Sequence, residues 1–296
     1  MIIQSKYWQF LKDDIKKNLP SFVSTFGYFE RTFKYQIRDL DWNHMDALHR
    51  PNIHDTFLES IRIASNKNYQ FSYTRIGKLP FVVPVYDVRI GEGEFYQTYS
   101  LFNLFTIISY TKINKINNLK VKQNIEWLIA SPKYLKFLHK FISRKIYKMN
   151  KLQTEEDIVI RERRFKLRKA GFSFGTDNPN YLNSNDLTSK IIPPKNNSLI
   201  DLKIDFNDLS KIEIKKFIIE SITLFIRRDK DNILIWPGIC PHEGAELTRD
   251  CFVNDLITCP WHNLNFKPQK LSKLKPSIKI LGLNIKLLRN AIKISN

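Results

Sequence analysis

Two short loops, Cys240-Pro241-His242 and Cys259-Pro260-Trp261-His262, each set a histidine two or three positions after a cysteine. Two thiolates and two imidazoles in matched C-x-H and C-x-x-H loops constrain the surrounding fold strongly, because both loops must bring their donors to one metal centre. A structural zinc site also accepts two cysteines and two histidines, but its usual spacing opens with C-x₂₋₄-C. The third cysteine, Cys251, lies between the loops and reads as a small buried thiol. With two of three cysteines spent as ligands, a reducing compartment is expected. The start, Met1-Ile2-Ile3-Gln4-Ser5-Lys6, lacks the long apolar run of a signal peptide, which points to a cytoplasmic protein.

The loops resemble those of Rieske proteins, in which thiolates hold one iron of a [2Fe–2S] cluster and neutral imidazoles hold the other. The Cys-Pro-Trp-His loop and the turn His242-Glu243-Gly244-Ala245 are similar to the oxygenase and ferredoxin type, and the extra cysteine that the respiratory type carries in each loop is missing. Asn263 stands where that family usually has glycine, and Asn tolerates left-handed backbone angles well enough to keep the turn. The resemblance implies that Cys240, His242, Cys259 and His262 bind the cluster.

A second segment, Asp41-Trp42-Asn43-His44-Met45-Asp46-Ala47-Leu48-His49, is similar to the D-x₂-H-x₄-H stretch of the Rieske non-haem iron oxygenases. The resemblance implies that His44 and His49 are ligands of a mononuclear Fe(II), and that Asp41 links this iron to the cluster. It also implies a carboxylate from an E-D-x₄-E segment, which Glu156-Asp157-Ile158-Val159-Ile160-Arg161-Glu162 matches, making Asp157 the third ligand of a 2-His-1-carboxylate face. Five residues of regular helix turn about 140°, so His44 and His49 share a metal only if the helix bulges or ends between them. Pro51 suggests an end near Arg50. Asp46 and His54 read as decoys or as neighbours of the site rather than ligands, and His139, inside a Lys-rich helix, reads as exposed.

Organisation follows from one linker. Residues 176–197 are rich in Asn, Ser and Asp and carry Pro179 and Pro193-Pro194, separating a first domain, 1–175, from a second, 198–296. Short β-rich runs after the linker (199–206, 217–226, 233–236, 256–258, 278–283 and 291–294) predict a small antiparallel β domain. Before it, helical segments near the start, strands between about 70 and 127 and a helix from about Pro132 to Ala170, stopped by Gly171, are expected. The fold class is α+β. The resemblance implies a helix-grip, START-like catalytic domain followed by a Rieske domain, with the parts in the reverse of their usual order in that family.

Function follows as an expectation from the same resemblance: O₂ and electrons from a ferredoxin or reductase hydroxylate a hydrophobic substrate at Fe(II), in a homo-trimer whose neighbouring subunits exchange electrons. The layout is similar to a group that oxidises ring methyl groups of carotenoids. The alternative is a non-catalytic Rieske electron carrier whose N-terminal domain binds a lipid or docks a partner. A formal charge of +19 attracts anionic partners, but no nucleic-acid recognition motif accompanies it. Lys133, Lys136, Lys140, Arg144 and Lys148 mainly oppose Leu135, Leu138, Phe141, Ile142, Ile146 and Met149 on a basic amphipathic helix, which either packs on a sheet or makes a peripheral membrane contact.

Overall fold

The computed structural model of the 296-residue chain describes residues 6–66, 68–77, 82–177, 191–194, 200–209 and 213–296. The expected linker at 176–197 therefore lies outside the described residues, apart from 176–177 and 191–194. Contacts divide the chain into two units, with the division at Glu162/Arg163 and the expected domain end at 175 beyond it.

The first unit opens with helix α1 (Lys6–Asn18) and strand β1 (Phe22–Phe33). Two short helices follow, α2 (Ile37–His44) and α3 (Arg50–Ile53), with a 3₁₀ turn at Ala47–His49 between them. Then come β2 (Phe57–Ser65), β3 (Tyr69–Ile76), β4 (Val82–Gly91), β5 (Glu94–Leu101), β6 (Phe105–Asn117) and β7 (Lys120–Pro132). A 3₁₀ turn at Lys133–Leu138 leads into the long helix α4 (His139–Lys169). The strands form one antiparallel sheet in the order β1-β7-β6-β5-β4-β3-β2. Alternation explains its two faces: in β6, Phe105, Ile107 and Ile113 turn to the buried side while Thr106 and Lys112 turn out.

Trp127 and Ile129 of β7, with Ile107 and Phe29, pack against Ile142, Ile146 and Met149 of α4, so the apolar stripe of the basic helix is spent on the sheet except for Phe141, which was expected on it and turns outward. Phe137 and Phe141 remain 75% and 59% exposed beside its lysines. Leu128 and Ala130, pointing the other way, pack against Trp8, Leu11 and Ile15 of α1. A curved antiparallel sheet gripping a long helix is the helix-grip architecture. Strands β1 and β2 were not expected. β1 pairs with β7 from Phe22↔Pro132 to Phe33↔Val121, a partnership a hundred residues apart along the chain that no local pattern announces.

The second unit begins inside α4. Leu167 joins a core with Phe172 and Phe174. Helix α4 ends on a Schellman motif: Phe172 N–H bonds to Leu167 O at 3.0 Å and Gly171 N–H to Arg168 O at 2.9 Å, with Gly171 at φ +87°. The expected stop at Gly171 is thus met. Next are β8 (Ser173–Phe174), β9 (Ile191–Ile192), β10 (Asp201–Asp205), β11 (Lys215–Ile219), β12 (Ile222–Asp229) and β13 (Asn232–Pro237). After them come β14 (Phe252–Val253), β15 (Leu256–Thr258), β16 (Asn265–Phe266), β17 (Gln269–Leu271), β18 (Ser277–Ile280), β19 (Leu283–Leu287) and β20 (Ala291–Ser295).

These strands make small antiparallel sheets, β10-β20-β19-β18, β11-β12-β13-β17 and β14-β15-β16, around Ile222, Leu224, Ile235, Ile285 and Ile292. The single run expected at 217–226 is in fact a hairpin, β11 and β12, turning at Glu220 with φ 52°. Its turn was silent in sequence because Glu220, which takes the left-handed backbone, is no usual turn former and a lone Ser221 is a weak signal. Among the described residues, no helix is long and apolar enough to cross a membrane.

Candidate functional site

In the second unit the two Cys/His loops have the same backbone plan. Cys240 N–H bonds to Ala245 O at 2.8 Å while Gly244 N–H returns to Cys240 O at 3.1 Å. Cys259 N–H bonds to Leu264 O and Asn263 N–H returns to Cys259 O, both at 2.9 Å. The fourth residue after each cysteine takes a left-handed backbone, Gly244 at φ +84° and Asn263 at +54°, so Asn263 makes the turn that its tolerance of such angles allows. Gly244 has a second reason to be glycine, since a Cβ there would lie 2.7 Å from Leu167 and 3.0 Å from Phe174.

The loops bring their donors together. His242 and His262 set their Nδ1 atoms 3.3 Å apart, both rings partly exposed, while Cys240 and Cys259 are buried. The Cys240 thiol beside it holds Cys259 down to about 5, against the effect of burial and with help from His262; sharing that proton and burial push Cys240 up. A thiolate is available at neutral pH, as metal ligation requires. Four convergent soft and borderline donors with an exposed imidazole edge fit a [2Fe–2S] cluster. Cys251 is only half-buried and its Sγ accepts from Thr248 N–H at 3.4 Å, capping the turn before β14.

The first cluster loop is braced by a buried ion pair, Arg164 Nη1 donating to Glu243, the neighbour of His242. The guanidinium also lies 3.8 Å over the Phe174 ring.

In the first unit a second donor group forms where α2, the turn after it, α3 and α4 meet the sheet. Helix α2 ends at His44, not near Arg50, because Asp46 caps the following turn by accepting Leu48 N–H at 3.2 Å. Pro51 then starts α3 instead of ending a helix, its fixed φ suiting a first turn. This break turns His49 inward: its Nε2 lies 3.4 Å from Asp157 Oδ1. His54 Nε2 lies 3.3 Å from the same oxygen.

Each ring is backed by another carboxylate. His54 Nδ1 is 2.7 Å from Glu156 Oε2, and His49 Nδ1 is 3.5 Å from Asp46 Oδ2. One ligand atom from each of His49, His54 and Asp157 falls within 4.8 Å of the others, and all three residues are buried. His54, with Nε2 aimed inward and Nδ1 hydrogen-bonded to a carboxylate, has the arrangement that orients metal-binding histidines, and His49 has the Asp46 carboxylate beside its Nδ1, so this donor set fits a 2-His-1-carboxylate ion.

Charge acts on the two partners in opposite directions. Burial would raise Asp157, but Arg161, with His49 and His54, holds it well below the usual carboxylate range. Burial pulls His49 down, but Asp157 and Asp46 outweigh it and leave the ring above its ordinary value. Asn43 links the parts, its Nδ2 lying 3.2 Å from His49 Nε2 and donating to Asp157 Oδ1 at 3.3 Å, while its Oδ1 accepts from Arg161 Nε at 2.8 Å.

The sequence candidates therefore separate. His49 and Asp157 come together; His44 lies elsewhere on the wall of the same pocket, stacked on Phe95 with its Nε2 2.9 Å from Gln123 Nε2. Asp41 is taken up by Arg89 at 3.0 Å and by Gly93 N–H at 2.7 Å, at the β4–β5 turn; burial raises it despite those partners. His54, set aside in sequence, joins the donor group. His139 is buried rather than exposed, bonded through its ring nitrogens to Ser131 at 2.7 Å and Thr25 at 2.9 Å.

A signal for His54 was present. Asp46-Ala47-Leu48-His49-Arg50-Pro51-Asn52-Ile53-His54 repeats the D-x₂-H-x₄-H spacing five residues further on.

His44 gives a pH prediction. Burial, then Arg161, pushes it down to about 3, whereas an unfolded imidazole titrates near 6.5. Below about 6.5 the unfolded chain binds the proton more readily, so stability falls as pH drops from about 6.5 towards about 3, by at most about 1.4 kcal/mol per pH unit. His44→Phe is expected to shrink the difference between unfolding midpoints at pH 7 and pH 5. An unchanged difference would show that His44 stays neutral in neither state preferentially.

Comparison with known proteins agrees with this layout for the second unit. Residues 204–279 match the Rieske [2Fe-2S] domain family, which implies a [2Fe–2S] cluster. No curated protein matches the chain. Among solved structures, norcoclaurine synthase from Thalictrum flavum is similar at TM-score 0.39 and 8% identity, over 47% of this chain and 95% of that one. Zhui aromatase/cyclase from Streptomyces sp. R1128 is similar at 0.38 and 9%, over 47% and 96%. A START superfamily protein from Mycobacterium smegmatis is similar at 0.39 and 7%, over 46% and 97%. The chain thus contains a C-terminal Rieske domain, characteristic of oxidoreductases and electron-transfer proteins.

Proposed function

We propose that the protein is a Rieske-type oxygenase, in which electrons from a ferredoxin or reductase and dioxygen are used to hydroxylate a small substrate, or the end group of a larger one, at a mononuclear iron in the first unit. The observation that carries this reading is the buried His49/His54/Asp157 group on a chain that also holds the Rieske ligand set. Bound there, Fe(II) would supply the redox chemistry towards dioxygen that no amino-acid side chain can.

The remaining work falls to the chain. Glu156 holds the His54 imidazole with Nε2 inward, Asp46 sets a negative charge beside His49 Nδ1, and Arg161 and Asn43 hold Asp157 ionised and aimed. In this register Asp46 stands where the resemblance placed Asp41, His49 where it placed His44, and His54 where it placed His49. Phe57, Val85, Phe95 and Ile125 give apolar walls to a cavity of about 90 Å³ beside the group. That volume is well below the roughly 300–1,000 Å³ of pockets for drug-sized ligands, so only a small molecule or one end of a long one, such as a carotenoid ring, enters.

A non-catalytic electron carrier with a ligand-binding first domain is the competing reading. Iron analysis on anaerobically purified protein separates them: about three irons per chain are expected of the oxygenase and about two of the carrier. Two irons with no ferrous signal after reconstitution would remove the oxygenase reading.

A further inference from the structure

The cavity beside the His49/His54/Asp157 group is lined in part by amides with unmet hydrogen bonds. Gln123, on β7 and 1% exposed, gives its NH₂ to His44 Nε2 at 2.9 Å. Since an amide nitrogen only donates, His44 accepts there and carries its own proton on Nδ1. Gln123 Oε1 is left buried with no hydrogen-bond partner among the described residues. On α4, Asn150 Nδ2 and Gln153 Nε2 line the same cavity and are also buried without a hydrogen-bond partner among the described residues. Buried polar atoms are nearly always paired, and three such atoms around one cavity mark a place where something else supplies the bonds.

The missing partner must accept from the two α4 amides and donate to Gln123. It is not an anion. The two arginines on the wall are already engaged, Arg50 with Asp87 at 2.9 Å and Arg161 with Asp157 at 2.6 Å. Nor is it a cation, since Asp87 is filled by Arg50, Gln70 and Gln97 at 2.9, 3.1 and 2.7 Å.

We infer that Gln123, Asn150 and Gln153 are specificity residues that recognise a neutral substrate group able both to donate and to accept hydrogen bonds, a carboxamide or a hydroxyl. The inference rests on reading this cavity as the substrate site of the proposed oxygenase. Position adds detail. Asn150, Gln153 and Asp157 lie on one stripe of α4, so a rise of about 1.5 Å per residue puts the recognised group roughly 6–10 Å along the helix from the metal-binding carboxylate. The atom to be oxidised is then several bonds from the polar group.

The test uses isobutyramide, its anionic counterpart isobutyrate and the acceptor-only methyl isobutyrate, with affinities from NMR titration of the full-length protein. Isobutyramide is expected to bind at least about 10-fold more tightly than either, and Gln153→Leu or Gln123→Leu to abolish that preference. Gln153→Leu also removes an unsatisfied buried group, so its unfolding midpoint is expected to hold or rise by about 2–4 °C, which excludes misfolding as the cause of lost binding.

Equal binding of the three probes, no binding of isobutyramide, or preference surviving in Gln153→Leu overturns the inference. Iron content measured on the same samples keeps the two proposals apart. Preference for isobutyramide with only two irons per chain would sink the oxygenase and spare the recognition site; three irons with no preference would do the reverse.

Discussion

His54→Ala is expected to lower the iron content from about three to about two per chain and to abolish turnover, with the visible absorption of the cluster unchanged. His44→Ala is expected to keep all three. The contrast is sharp because both residues fit the same spacing rule and lie in the same pocket, yet only His54 directs Nε2 at Asp157, from 3.3 Å. Asp157→Ala should match His54→Ala, while Asp46→Asn, which weakens the support behind His49, should cost about 10- to 100-fold in iron affinity without removing the site. Iron analysis and ferrous spectroscopy of the four variants check this. Loss of the third iron in His44→Ala with its retention in His54→Ala would falsify the assignment and restore the earlier register of Asp41, His44 and His49.

Arg164→Ala is expected to lose the cluster. Arg164 is fully buried and its partner Glu243, adjacent to His242, is 2% exposed. Removing one member of such a pair leaves the other charge buried without compensation, at a cost of about 3–5 kcal/mol. That cost falls on the loop that carries Cys240 and His242. Arg164→Met with Glu243→Gln together, which removes both charges and keeps most of the volume, should recover a large part of the loss. Cluster absorbance per chain and the unfolding midpoint read the effect; a single variant with full absorbance and an unshifted midpoint would show that the pair is dispensable.

How far the chain could be read in advance depended on how local each signal was. The cluster loops were legible because their ligands lie within three residues of each other and their turns need only Gly244 and Asn263. The His49/His54/Asp157 group was half legible. Two overlapping D-x₂-H-x₄-H segments share His49, and a spacing rule has no means of choosing between them.

The choice is made at long range, by Asp157 and Glu156 more than a hundred residues further on, and by Asp46 capping a turn that stops α2 at His44. The long helix was visible in its repeat of apolar residues, and its end in Gly171. Strand β1 was not visible, since its partners come from β7 and its own burial lacks a clean alternation. The polar side of the cavity escaped for a similar reason: Gln123, Asn150 and Gln153 are unremarkable until a strand and a helix face them towards one space.

With Asn150, Gln153 and Asp157 in a single row on one helix, α4 would work like a graduated ruler beside the proposed iron site. Exchanging the graduations, by swapping amides for other side chains at 150 and 153, would change which molecules are measured while leaving the zero mark at 157 alone. Inserting one residue between 153 and 157 would twist the scale by about 100° and ruin it altogether. New preferences in proteins built this way should therefore arise by substitution along that row and not by changes in its length.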